Sequence, residues 1–285
     1  MQLLLPVAVF ILMVSIGMSL HFGQVIAHWR GRGASAWIRL LLATFILPAI
    51  AALVLARIFP LTLRQTGGLF MVGATPGAPL LTRNLARRGF DMHLAASYQV
   101  WGAVLTPIMI PLMTFAAGKL YDRTIWIPPR ILVWQIVEKE FLPVLVGMLL
   151  VHFAPAFSAK AQRTVNMIGN GVLILVFAAL LWKMGPELRA VTPWVAAAVV
   201  LLLMTSIGVM HLLVKGDPVM VRTFAVSNAN RHVGLALLIS GRFMHAREAL
   251  PVVASYAIAV ALLMVVAPRI FKIKEAAAGP VIAAG

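Results

Sequence analysis

The sequence predicts an all-α integral membrane protein, with about nine transmembrane helices in two halves and two of those helices interrupted. Three observations predict it. The chain has 285 residues, of which 62% are hydrophobic and only 11% charged. That is too little charge to clothe a soluble domain of this size. Its apolar stretches reach about 20 residues, the length that spans a hydrocarbon core as a helix. Polar groups interrupt two of these stretches, residues 67–89 (GGLFMVGATPGAPLLTRNLARRG) and 224–240 (FAVSNANRHVGLALLIS). The alternation expected of strands is missing, so helices rather than a barrel must satisfy the backbone in lipid.

In chain order, the first helix is expected over 3–20. No Lys or Arg precedes it and no small-residue cleavage site follows, which favours a retained helix over a signal peptide. The second is expected over 36–59 and the interrupted third over 62–88. The fourth runs from 91 to 118. A polar link, 119–129, then divides the halves, so that the units are 1–118 and 130–271. The fifth, sixth and seventh helices are expected over 131–153, 162–184 and 191–214. The interrupted eighth covers 218–240 and the ninth 248–270. Residues 272–285, with Lys272, Lys274 and an Ala/Gly-rich end, are expected to form a mobile cytoplasmic tail.

The formal charge of +16 does not imply nucleic acid, because the cations are scattered through the loops with no basic domain. Cations flanking membrane helices point to lipid headgroups as partners. One set of loops, with Arg30, Arg83, Lys160 and Lys215 among others, carries about twelve cations against about nine on the other. By the positive-inside rule the richer side is cytoplasmic, the amino terminus outside and the carboxyl terminus inside, in a bacterial inner membrane. Cysteine is absent, which excludes disulfides and thiolate metal sites. No metal-spaced His/Asp/Glu cluster, P-loop or nucleophile elbow occurs, so the sequence implies neither an enzyme, nor a cofactor, nor a nucleotide-driven pump.

The interruptions carry the chemistry. Pro76 and Pro79 lack a backbone N–H and crowd the preceding turn, and Gly77 tolerates the dihedrals that result. A helix opened at Thr75, Pro76, Gly77 and Ala78 leaves backbone groups unpaired, tolerable only where protein or cavity water satisfies them. A plain proline kink is the competing account. The second interruption holds Ser227, Asn228, Asn230, Arg231 and His232. Arg231 stands nine residues after Arg222 and eleven before Arg242, near the middle of its span. A guanidinium at that depth costs about 2.5–3.5 kcal/mol on insertion scales, so it faces protein or a wet cavity. Either it binds an anionic substrate through a bidentate fork, or it caps broken-helix carbonyls, or it pairs with an acid such as Glu138 or Glu140. His232 is either a proton relay or a hydrogen-bonded packing residue. Candidate cavity-lining residues are Arg83, Ser97, Gln99, Asn166 and Asn170. The two asparagines, one turn apart, equally suit close helix packing. Interrupted helices in corresponding places of two halves are the sequence signature of a transporter site.

At these residues the chain resembles the bile acid:sodium symporter family. Gly17-Met18-Ser19-Leu20 is similar to that family's turn after its first helix. Residues 74–91, with Pro76-Gly77 and then Leu85-Ala86-Arg87, resemble its first crossing helix and the helix that follows. Arg222-Thr223-Phe224-Ala225 and Val233-Gly234-Leu235-Ala236 frame its second crossing helix. The resemblance implies inverted repeats, a panel domain, a core domain with two crossed broken helices, and alternating access. It also exposes departures. The family's Glu and Gln sodium ligands fall on Ser227 and Arg231, and the Ser-Asn pair after its Pro-Gly-Gly is missing. The hydroxyls of the next helix fall on Gln99 and Ala103. An Arg at a ligand position repels sodium.

The expectation is therefore a secondary transporter of a small organic anion that is not sodium-coupled in the usual way. Two rivals stand beside it: a sodium-coupled symporter with relocated ligands, and a non-transporting sensor or scaffold. Export of a lipid-like or toxic compound shares the fold and differs only in cargo. The sequence sets no oligomeric state.

Overall fold

The structure is a computed structural model and describes residues 4–18, 23, 33–77, 90–121, 129–183, 185, 188, 191–243 and 246–270. Helices account for nearly all of them. We label these α1 (Leu4–Gly17), α2 (Ala34–Ile58), α3 (Leu63–Ala74), α4 (Met92–Tyr121), α5 (129–153), α6 (Pro155–Lys183), α7 (Pro193–Leu213), α8 (Pro218–Ala229), α9 (Val233–Phe243) and α10 (Ala246–Ile270). Four stretches among the described residues are long and apolar enough to cross a membrane: Ala34–Ile58, Ser97–Leu120, Pro193–Leu213 and Glu248–Ala267. Ile108, Leu112, Val200, Leu262 and Val265 on these stretches are exposed, as a lipid-facing surface requires.

Local chemistry sets the helix starts. Thr62 caps α3 in a reciprocal capping box with Gln65. Thr192 caps α7 and Pro193 opens it. Pro155 opens α6 seven residues before the apolar stretch begins, because a polar turn with Lys160 and Arg163 continues the helix. In the same way α4 runs through Lys119 to Tyr121, into the expected link. Both α2 and α5 widen into a π-turn midway, at Leu42–Ile46 and Val137–Phe141. Such turns often mark functional sites.

The helices pack in two groups. In one, α1 lies against α5 and α6. Gly17 and Gly147 make that contact close: a Cβ on Gly17 would lie 2.1 Å from the Val144 carbonyl oxygen, and one on Gly147 2.2 Å from that of Val14. In the other group, α3 packs between α2 and α10, α7 against α2, α8 and α10, and α8 against α4. Gly73 admits the Pro48 carbonyl and Gly68 the Ala249 carbonyl, so α3 is gripped by backbone on both sides. The core between them holds Leu69, Phe70, Val199, Leu202, Val226 and Val253.

Candidate functional site

The two interruptions meet. Helix α3 ends at Ala74, and Thr75 takes an extended ψ of 142°, the conformation that a following proline favours. Thr75 closes the helix end, its N–H donating to the Met71 carbonyl and its hydroxyl to that of Val72. Helix α8 ends at Ala229 and α9 begins at Val233, leaving Asn230, Arg231 and His232 between helices. There Gly77 and Arg231 form an isolated antiparallel bridge. The His232 N–H donates to the Pro76 carbonyl at 2.8 Å. Gly77 has to be glycine, since a Cβ would sit 2.3 Å from the Ser227 carbonyl oxygen and 3.0 Å from Tyr98 Cε1.

The Arg231 N–H donates to the Ala229 carbonyl and the Val233 N–H to that of Arg231, two tight turns between which the Arg231 and His232 side chains part to opposite sides. Arg231 turns into the second helix group and is wholly buried. Its Nη1 donates to the Thr75 carbonyl at 2.8 Å and also to the Thr44 carbonyl in the π-turn of α2. Its Nε and Nη2 reach Ser206 Oγ of α7 at 3.4 and 3.3 Å. Among the described residues no hydrogen-bond partner of this guanidinium is acidic, and Glu138 is exposed on α5. Both edges of the fork are engaged by neutral protein oxygens. A network surrounds it. Asn228 Nδ2 donates to the Ala43 and Ser206 carbonyls, and Tyr98 donates to Asn228 Oδ1 at 2.8 Å and lies 3.0 Å from Thr44 Oγ1. Tyr256 of α10 donates to the Ala229 carbonyl at 2.7 Å. The end of α3 and the link between α8 and α9 are thus held by groups from α2, α4, α7 and α10.

His232 faces the other way. Its Nδ1 accepts the Leu235 N–H at 3.0 Å and so caps α9. With Pro76, Gly77, Gln99 and Ala103 it lines a crevice closed on its far side by Met13 of α1 and Val144 of α5. The crevice therefore runs between the two helix groups and is too narrow to admit water. Ser227 Oγ and Asn230 Nδ2 are buried with no hydrogen-bond partner among the described residues.

Of the residues expected from sequence, the structure brings together Thr75, Pro76, Gly77, Ser227, Asn228, Asn230, Arg231 and His232. Gln99 joins them at the crevice, and Ser97 is buried beside Tyr98 on α4. Asn166 and Asn170 lie on α6, which packs against α1 and α5. Ala78 and Arg83 fall outside the described residues. Sequence reasoning missed Thr44, Tyr98, Ser206 and Tyr256. Lone hydroxyls in long apolar runs are weak signals, because each can bond its own helix, as Ser206 does with the Leu202 carbonyl.

A sequence model of the Sodium Bile acid symporter family matches residues 6–186, more than half of the chain. The chain belongs to that family. This makes it an integral membrane protein of a transporter family, not an enzyme. A hepatic sodium/bile acid cotransporter of Rattus norvegicus is 24% identical over 202 residues, covering 64% of this chain and 54% of the relative. The match thus spans about half of that relative's length. The family match ends before α7, so the second interruption of this family member is known from its own sequence and geometry.

Proposed function

We propose that this family member is a secondary transporter of a small organic anion, working by alternating access without the usual sodium coupling. The fully buried Arg231, bonded among the described residues to neutral oxygens where the two interruptions touch, carries the reading. At an effective dielectric near 20, a full charge about 6 Å away contributes about 3 kcal/mol. For a carboxylate that is about a hundredfold in affinity, and for a sodium ion the same magnitude opposes binding. Arg231 then supplies a fixed positive charge that relatives take from an ion. Ser227 and Asn230 supply donors near it, Pro76, Gly77 and His232 line the crevice, and Thr75 and Asn228 belong to the network that holds Arg231. The arrangement of helices supports inverted repeats, each broken helix packing against the helix that precedes it. Movement of the α1, α5 and α6 group against the rest would open the crevice to alternate sides. The loop charges favour a cytoplasmic carboxyl terminus.

The test uses purified protein, screened by thermal shift and counterflow against organic acids with sodium or choline as counter-ion. Stabilisation and flux that need no sodium, and that Arg231→Ala abolishes, are the expected results. A strict sodium requirement would favour a symporter with relocated ligands. Binding without counterflow would favour a sensor.

A further inference from the structure

A second cavity, remote from the crevice, opens where the start of α2 meets the end of α7. It has a volume of about 60 Å³, with Trp37, Arg39 and Leu40 on one wall, Val214 and Lys215 on the other and Phe224 of α8 in its lining. We infer that this pocket binds the phosphate of an anionic phospholipid headgroup between Arg39 and Lys215.

Four features select that occupant. Arg39 belongs to α2 and Lys215 to the link between α7 and α8, and no acid among the described residues lines the pocket. The ion pair found among the described residues is Arg64–Glu248, so neither Arg39 nor Lys215 is neutralised there, although Asp217 follows Lys215 by two positions. Phe224 lies six residues into α8, about 9 Å below its start at the usual helical rise. The pocket therefore descends from headgroup level toward the acyl region. Its inner wall of buried Leu40, Val214 and Phe224 suits a glycerol and the first methylenes better than a free, hydrated ion. Trp37, half-buried at the wall, belongs to the aromatic class that settles at headgroup depth. An occupant would tie α2, α7 and α8 together. Phe224 also stacks near Tyr98, with centroids 5.2 Å apart, and Tyr98 holds Asn228. The headgroup would thereby steady the network around Arg231 from one membrane face.

The test compares the full chain in phosphatidylcholine nanodiscs with and without phosphatidylglycerol, reading melting temperature and, by native mass spectrometry, retained lipid. Phosphatidylglycerol should raise the melting temperature of wild type. Each of Arg39→Gln and Lys215→Gln should weaken its retention about fivefold, the scale expected for one cation at an anionic surface. Arg39→Lys should keep most of the effect, and Arg269→Gln, an exposed cation outside the pocket, should keep all of it. If Arg39→Gln folds poorly, Lys215→Gln at its exposed position carries the comparison. Equal retention by wild type and the Gln variants would overturn the assignment. So would an equal stabilisation by inorganic phosphate alone, which would make the pocket a site for a soluble anion.

Discussion

Replacing Gly77 by Ala tests whether the crossing depends on direct backbone contact. The new Cβ would lie 2.3 Å from the Ser227 carbonyl oxygen, and ordinary contact begins at 3.4 Å, so the two segments must part by about 1.1 Å. Neither can yield easily, since Ser227 lies in α8 and Gly77 is bridged to Arg231. The same separation stretches the 2.8 Å bond from the His232 N–H to the Pro76 carbonyl beyond hydrogen-bonding range. Overpacking costs about 1–3 kcal/mol and the lost bond about 1 more, a total of about 2–4 kcal/mol. At about 2–4 °C per kcal/mol, the melting temperature should fall by roughly 5–15 °C. Thermal unfolding of the purified protein in detergent reads this directly. Gly208→Ala is the control, because a Cβ there meets open space, and alanine gains up to about 1 kcal/mol in helix propensity. A Gly77→Ala protein that melts with the wild type would refute the close crossing.

The remaining predictions concern the two sides of the crossing. Tyr98→Phe removes a hydroxyl 3.0 Å from Thr44 Oγ1 that donates to Asn228, and should destabilise the protein by about 1–2 kcal/mol in chemical or thermal unfolding. His232→Ala should lose the cap on Leu235 at a cost of about 1 kcal/mol, whereas His232→Asn should retain it. Counterflow that survives His232→Asn would exclude a proton relay at this position, and selective loss of flux in a stable His232→Asn protein would establish one. Gly147→Ala should disrupt the α1–α5 contact, since its Cβ would lie 2.2 Å from the Val14 carbonyl oxygen; proteolysis should then show α1 released more readily than in wild type.

Helical membrane character followed from the sequence alone, because lipid leaves the backbone few choices and apolar runs of spanning length leave fewer. The two interruptions were equally legible. Proline at 76 and a polar cluster at 227–232 contradict their apolar surroundings whatever the fold around them. The approximate helix limits came with them, and the misses occurred where polar turns prolong a helix, at Pro155 and beyond Gly118. The contact between the interruptions was beyond sequence reading, as residues 77 and 231 are joined only by packing. So was the direction of Arg231. From sequence a mid-membrane guanidinium is a candidate for an anionic substrate, for broken-helix carbonyls or for a protein acid, with the substrate favoured. The tight turns at 229–233 send the guanidinium to Thr44, Thr75 and Ser206 and the imidazole to the crevice. The physical reason is that a charge buried in lipid must find oxygens nearby, and which oxygens are near is a property of how the helices pack.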